Sequence, residues 1–197
     1  MGLIPILFLF LCLYIYVCFS LFMFKNWEQL SLFSANSFDF VGFWAPLILF
    51  SLSLIHLWDT SFYLYLYILL FFTNTLFNRI LKLIFRQKRP ENGKSFVGED
   101  YQGAEMYGMP SGHAQSVFYS TTFLFLVKQS VWWLILELGI SATSLVQRWK
   151  YNRHTVAQLA VGSIVGTIFA SIGYVFARYW VYDDYSWRSP ITNYLET

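Results

Sequence analysis

Lys82 and Arg89 stand seven residues apart with Pro90 directly behind, and Arg148 precedes His154 by six. On a helix that continues to Arg89, the first pair lies nearly two turns apart on one face and aims two fixed cations at a common point. Between the two pairs runs Pro110-Ser111-Gly112-His113, immediately before an apolar stretch. Ser111 reads there as a helix N-cap. The N–H groups of the first turn, Gly112 included, lack intrahelical partners and sit at the positive end of the helix dipole, which makes an anion site. Gln158 follows His154 by four residues, on the same helix face. A histidine beside arginine can hold a phosphate group or attack its phosphorus.

Each of these features also has an ordinary reading. Lys82 and Arg89 can be the basic flank of a membrane helix, Ser111 a plain cap, and His113 and His154 interfacial histidines reaching water. The phosphate reading rests on conjunction: three cations, a helix-start anion site and two histidines have to reach one place. The elements that carry them decide whether they can.

Those elements are membrane spans. The 197 residues are 57% hydrophobic and 22% aromatic but only 12% charged, with a mean hydropathy of +0.49, far from the balance of a soluble domain. The expected fold is all-α, a polytopic membrane helical bundle of about six transmembrane helices in a single domain over 1–197. The spans are placed at about 3–24, 40–58, 61–85, 111–127, 131–146 and 155–180. The first run reads as an uncleaved anchor, because no basic segment precedes it and no small-x-small cleavage site follows. Cys12 and Cys18 inside it point to different sides of a helix, so no disulfide is expected. Gly162, Gly166, Ala170 and Gly173 recur at helical spacing in the last span, a pattern that lets helices approach closely. Residues 86–110 read as a polar loop of functional length, in which Glu99, Asp100 and Glu105 are solvated charges.

Parity has a geometric consequence. The 86–110 loop follows span three and the 147–154 loop follows span five, so both emerge on one membrane face and both termini on the other. Six of the 13 Lys and Arg lie between Arg79 and Lys94 and three more between Arg148 and Arg153, so the two basic clusters meet on that face. A formal net charge of +2 is too small to suggest nucleic acid as a partner. The expected partners are the bilayer and an anionic, phosphate-bearing lipid.

Written as patterns, Lys82 to Pro90 is Lys-x6-Arg-Pro, Pro110 to His113 is Pro-Ser-Gly-His, and Arg148 to His154 is Arg-x5-His. In that order they resemble the three signatures of the type 2 phosphatidic acid phosphatase superfamily. The resemblance covers about Lys82 to Gln158, and the amino-terminal third matches only in being hydrophobic. Two positions depart from the family pattern: Gln147, where a Ser usually precedes the Arg, and Gln158, where an Asp usually follows the nucleophilic His by four. The segments Tyr107-Gly108-Met109-Pro110-Ser111-Gly112-His113-Ala114-Gln115 and His154-Thr155-x-x-Gln158 look like the dolichyl diphosphatase branch, where Gln is expected at that last position.

The resemblance implies a membrane lipid phosphatase with His154 as nucleophile, forming a phosphohistidine. His113 would protonate the leaving oxygen and then activate water. Gln158 would orient His154, while Lys82, Arg89, Ser111, Gly112 and Arg148 hold the phosphate oxygens, with no metal and no other cofactor. The implied substrate is a polyprenyl (dolichyl-type) diphosphate, cleaved to the monophosphate. Phosphatidate or another lipid monophosphate is the near alternative. A non-catalytic membrane protein whose basic face binds anionic head groups is the alternative from another class. The implied location is a multi-pass membrane position, in the endoplasmic reticulum if the source is eukaryotic. The positive-inside rule places the basic face in the cytoplasm, against the lumenal active site expected of a dolichyl diphosphatase.

Overall fold

The computed structural model of the protein describes residues 37–94 and 101–188. The expected first span with its two cysteines, and Glu99 and Asp100, lie outside the described residues. Five α-helices follow one another: α1 Ser37–His56, α2 Ser61–Phe85, α3 Gly112–Lys128, α4 Val131–Lys150 and α5 Val156–Arg188, with a short 3-10 turn at Gly103–Met106 between α2 and α3. The described residues contain no strand, only an isolated antiparallel bridge between Lys88 and Tyr107. The fold is all-α, as expected. Three of the helices, α1, α2 and the Val156–Trp180 part of α5, are long and apolar enough to cross a bilayer, and the chain is a helical membrane protein. The boundaries differ from expectation chiefly at α4, which runs to Lys150. Gln147 and Arg148 are buried, so helix and not loop carries them.

Contacts at the helix ends set the directions. Lys150 Nζ and the Tyr151 hydroxyl donate to Asp39 Oδ2 at 2.6 and 3.0 Å, joining the start of α1 to the end of α4. At the opposite ends the rings of His56 and Trp133 lie 3.9 Å apart, so these two helices are antiparallel. Lys128 donates to Asp59 at 2.6 Å and ties the end of α3 to the α1–α2 turn. By contrast α3 and α5 run parallel, with Gly162 against Ser111 and Ala114, Gly166 against Gln115 and Tyr119, and Gly173 beside Phe123. The start of α1, the end of α2, the start of α3, the end of α4 and the start of α5 therefore meet at one end of the bundle.

The glycine spacing in α5 does the work expected of it. A β-carbon at Gly166 would lie 2.2 Å from the Gln115 carbonyl oxygen, which is backbone and cannot swing aside. On the opposite side of the same helix Ile164, Ile168, Ile172 and Val175 are exposed, an apolar stripe suited to lipid. Gly166→Ala is accordingly expected to cost about 1–3 kcal/mol of stability through overpacking. Gly139, with nothing within 4 Å of its would-be β-carbon, should accept the same change without loss. Thermal unfolding of the two variants in detergent compares them, and equal midpoints would remove the close α3–α5 contact as a stabilising feature.

Polar side chains inside the bundle pair across helices. Gln115 of α3 donates through Nε2 to Asn74 Oδ1 at 2.7 Å, and its Oε1 accepts from Asn78 Nδ2 at 2.7 Å. The three side chains form an amide ladder between α2 and α3, because an unpaired amide in an apolar bundle is costly. Towards the other end the core becomes aromatic, with Phe50, Tyr67, Tyr119 and Phe123 clustered among Leu57, Leu64 and Ala170.

Candidate active site

At the end of α2 the backbone of Arg86 turns left-handed (φ 48°) and its N–H closes on the Lys82 carbonyl at 2.9 Å. The helix stops there, so Lys82 and Arg89 are not aligned by a continuing helix as expected. The chain reverses: Lys88 bridges Tyr107, and the Gly108 N–H donates to the Gln87 carbonyl at 2.8 Å. That short pairing holds the two arms of the loop together and lays Arg89 over the α4–α5 turn. There Arg89 Nη1 donates to the Arg153 carbonyl at 3.2 Å.

The same Nη1 lies 2.9 Å from His154 Nε2. A guanidinium only donates, so Nε2 is the acceptor and the ring proton sits on Nδ1. The surroundings of Nδ1 agree, for both its neighbours are oxygens, the Gly108 carbonyl at 3.0 Å and Gln158 Oε1 at 3.2 Å. His154 is thus the Nδ1–H tautomer, with its Nε2 lone pair turned to the Arg89 guanidinium. Burial first, then the charges of Arg89, Arg148 and Lys82, hold its pKa well below the ordinary histidine value of 6.5. The ring is neutral at neutral pH, so Nε2 carries a lone pair and no proton.

Gln158 is fully buried and has more than one task. Its Oε1 accepts from the Thr155 N–H at 3.2 Å while Thr155 Oγ1 accepts from the Gln158 N–H at 3.2 Å, a capping box that starts α5. Its Nε2 donates to the Lys88 carbonyl at 3.0 Å and to Gln87 Oε1 at 3.2 Å. A carboxylate could supply only the acceptor half of this set. Gly108 packs so closely on the amide that a β-carbon there would lie 2.4 Å from Oε1.

Ser111 caps α3, accepting from the Ala114 N–H at 3.5 Å, and its own N–H donates to the Gln158 carbonyl at 3.1 Å. Gly112 follows in the first turn, with Asn78 Oδ1 3.3 Å from its would-be β-carbon. His113 Nε2 lies 3.1 Å from the Phe43 carbonyl, which can only accept, so the proton is on Nε2 and Nδ1 carries the lone pair. Arg148 is buried with its guanidinium 4.8 Å from the centre of the Phe43 ring. His113 stands within electrostatic reach of Arg148, His154 and Arg89, so both histidines occupy one end of the bundle.

Glu105 corrects the reading of the loop acids as solvated. Its carboxylate is paired with Lys82 and lies 3.7 Å from Arg89 Nη2 and 3.9 Å from Arg79 Nε, and its carbonyl accepts from Arg89 Nε at 3.0 Å. Tyr101 stacks between two guanidiniums, 3.9 Å from Arg89 and 4.3 Å from Arg153, and accepts from Arg153 Nε at 3.0 Å. The eight residues singled out from the sequence thus gather at one end of the bundle: Lys82, Arg89, Ser111, Gly112, His113, Arg148, His154 and Gln158. The family model of the PAP2 superfamily matches residues 62–182. The chain belongs to the PAP2 superfamily. No curated protein and no solved structure matches it. Membership makes it a phosphatase-type hydrolase, and the apolar helices place it in a membrane. The matched region begins at the second residue of α2 and so takes in every element that carries the basic face except α1.

Phe43, Gly108, Tyr101 and Glu105 are the residues of this PAP2 site that sequence reasoning missed. Phe43 contributes through its carbonyl and ring face, which nothing in an apolar span announces. Thr155-x-x-Gln158 did carry a signal, since Thr followed three residues on by Gln at a helix start is a capping box.

Proposed function

We propose that this PAP2 protein is a lipid phosphatase that hydrolyses a polyprenyl diphosphate of the dolichyl type to the monophosphate through a phosphohistidine on His154. The observation that carries the proposal is the state of that ring: neutral, its proton anchored on Nδ1, and its Nε2 lone pair aimed at Arg89. Nε2 attacks the terminal phosphorus, the P–N bond forms, and the P–O bond of the anhydride breaks. The electron pair leaves on the oxygen of the lipid monophosphate, which takes a proton from His113 in its protonated form. In the second half, neutral His113 accepts a proton from water through Nδ1. The resulting hydroxide attacks phosphorus and releases orthophosphate, and His154 Nε2 recovers its lone pair.

Lys82, Arg89 and Arg148 supply the positive charge that phosphoryl transfer needs, with the Ser111 side chain and the Gly112 N–H completing the cradle. Gln158 and the Gly108 carbonyl act on the attacking atom only through Nδ1. Neither carries a full negative charge, so they stabilise an imidazolium less than a carboxylate would. The leaving group fits that weaker push, since a phosphomonoester departs more readily than an alkoxide. Release of phosphate by the purified protein from dolichyl diphosphate, undecaprenyl diphosphate and phosphatidate, each with and without EDTA, tests the reading. The expected result is EDTA-insensitive release favouring the diphosphates by about 10-fold or more, a margin of about 1.4 kcal/mol. Preference for phosphatidate would transfer the assignment to lipid monophosphates, and complete inhibition by EDTA would remove the cation-only mechanism.

A further inference from the structure

The carboxylate of Glu105 sits where the proposed chemistry needs a phosphate. Lys82, whose side chain is only 2% exposed, pairs with Oε2, and Arg89 Nη2 approaches the same oxygen at 3.7 Å. Oε1 faces Arg79 Nε at 3.9 Å. Two anionic oxygens held by ammonium and guanidinium groups reproduce the contacts that two non-bridging phosphate oxygens would make. The side chain is 38% exposed, so an incoming anion can reach it from water. Its backbone is held separately, by the Arg89 Nε bond to its carbonyl and by its N–H donating to the Gln102 carbonyl at 3.2 Å, so the carboxylate can rotate away without unfolding the turn.

We infer that Glu105 is a resident anion on the Lys82–Arg89 pair, displaced by substrate, and that it sets the minimum charge a head group must carry to enter. The inference rests on the phosphate-binding role proposed above for that pair. A head group with one negative charge, such as a phosphodiester, offers these cations no more charge than the carboxylate it would replace. A phosphomonoester brings up to about one more and a diphosphate at least as much, and the exchange then favours the substrate. Glu105 is in this way a specificity-determining residue that admits terminal phosphates and turns away the diester lipids forming the bulk of a bilayer.

Binding of orthophosphate and of dimethyl phosphate to the full chain in detergent, with wild type beside Glu105→Gln, tests this through dissociation constants. Glu105→Gln is expected to bind orthophosphate about 10-fold more tightly and to gain by a similar factor for dimethyl phosphate, lifting the monoanion above the binding threshold, because a resident competitor lowers every ligand's apparent affinity by the same fraction. Unchanged or weaker orthophosphate binding by Glu105→Gln overturns the inference while leaving the phosphate site standing. Absence of orthophosphate binding in both proteins overturns the phosphate site and the inference together.

Discussion

His154→Ala is expected to lower phosphate release by at least about 10⁴-fold while the protein stays folded. In the mechanism proposed above the ring is the attacking group itself, so its removal leaves only the electrostatic cradle to act on water. Folding should survive because the capping box at the start of α5 is built from Thr155 and Gln158, not from the imidazole. In single-turnover experiments with substrate labelled in its terminal phosphate, wild type should hold label that is stable in alkali and lost in acid, the behaviour of a P–N bond, and His154→Ala should hold none. Equal turnover by the two proteins, or label stable in acid, would refute the phosphohistidine.

Arg89→Ala is expected to lower kcat/KM by about 10²–10³-fold, the scale of losing one oriented donor to a developing charge. Arg89→Lys should recover little of it. Through Nε, Nη1 and Nη2 the guanidinium reaches the Glu105 carbonyl, the Arg153 carbonyl, His154 Nε2 and the Glu105 carboxylate at once, and it also stacks on Tyr101. A single ammonium cannot span that set. The pH profile gives a second readout. Burial and, next, the Arg89 charge hold the His154 pKa below 6.5, and protonating the ring removes the nucleophile. The acid limb of kcat/KM in wild type therefore falls below the usual histidine range. Without Arg89 the imidazolium is disfavoured less, so the limb moves up in pH, towards about 6.5. A limb that stays in place, or moves down, would show that His154 is not the group titrating.

Much of the positioning could be read along the chain because it is local. The apolar runs located α1 to α5 to within a few residues, except where α4 continues to Lys150 and α5 to Arg188. Ser111 was readable as a cap because capping depends on the few residues that follow it. The small-residue spacing in α5 showed that a close helix contact exists, though not that its partner is the parallel α3. Glu105 was misread for a definite reason: a carboxylate in a polar loop is solvated unless cations come to it, and those cations arrive from 16 and 23 residues away. Lys82 and Arg89 were read as neighbours on one helix, yet a left-handed residue at Arg86 breaks that helix and a loop pairing restores their proximity.

The membrane setting and the helical class are properties of composition and period, and the chain alone determined them. The tautomer of His154, the Gly108 carbonyl that holds it and the carboxylate seated between Lys82 and Arg89 were decided only by the tertiary structure. Each depends on which atom of a distant segment lies within about 3 Å, the range over which hydrogen bonds act. Hydropathy and spacing report which surface a residue prefers, and they carry no information about which partner meets it there.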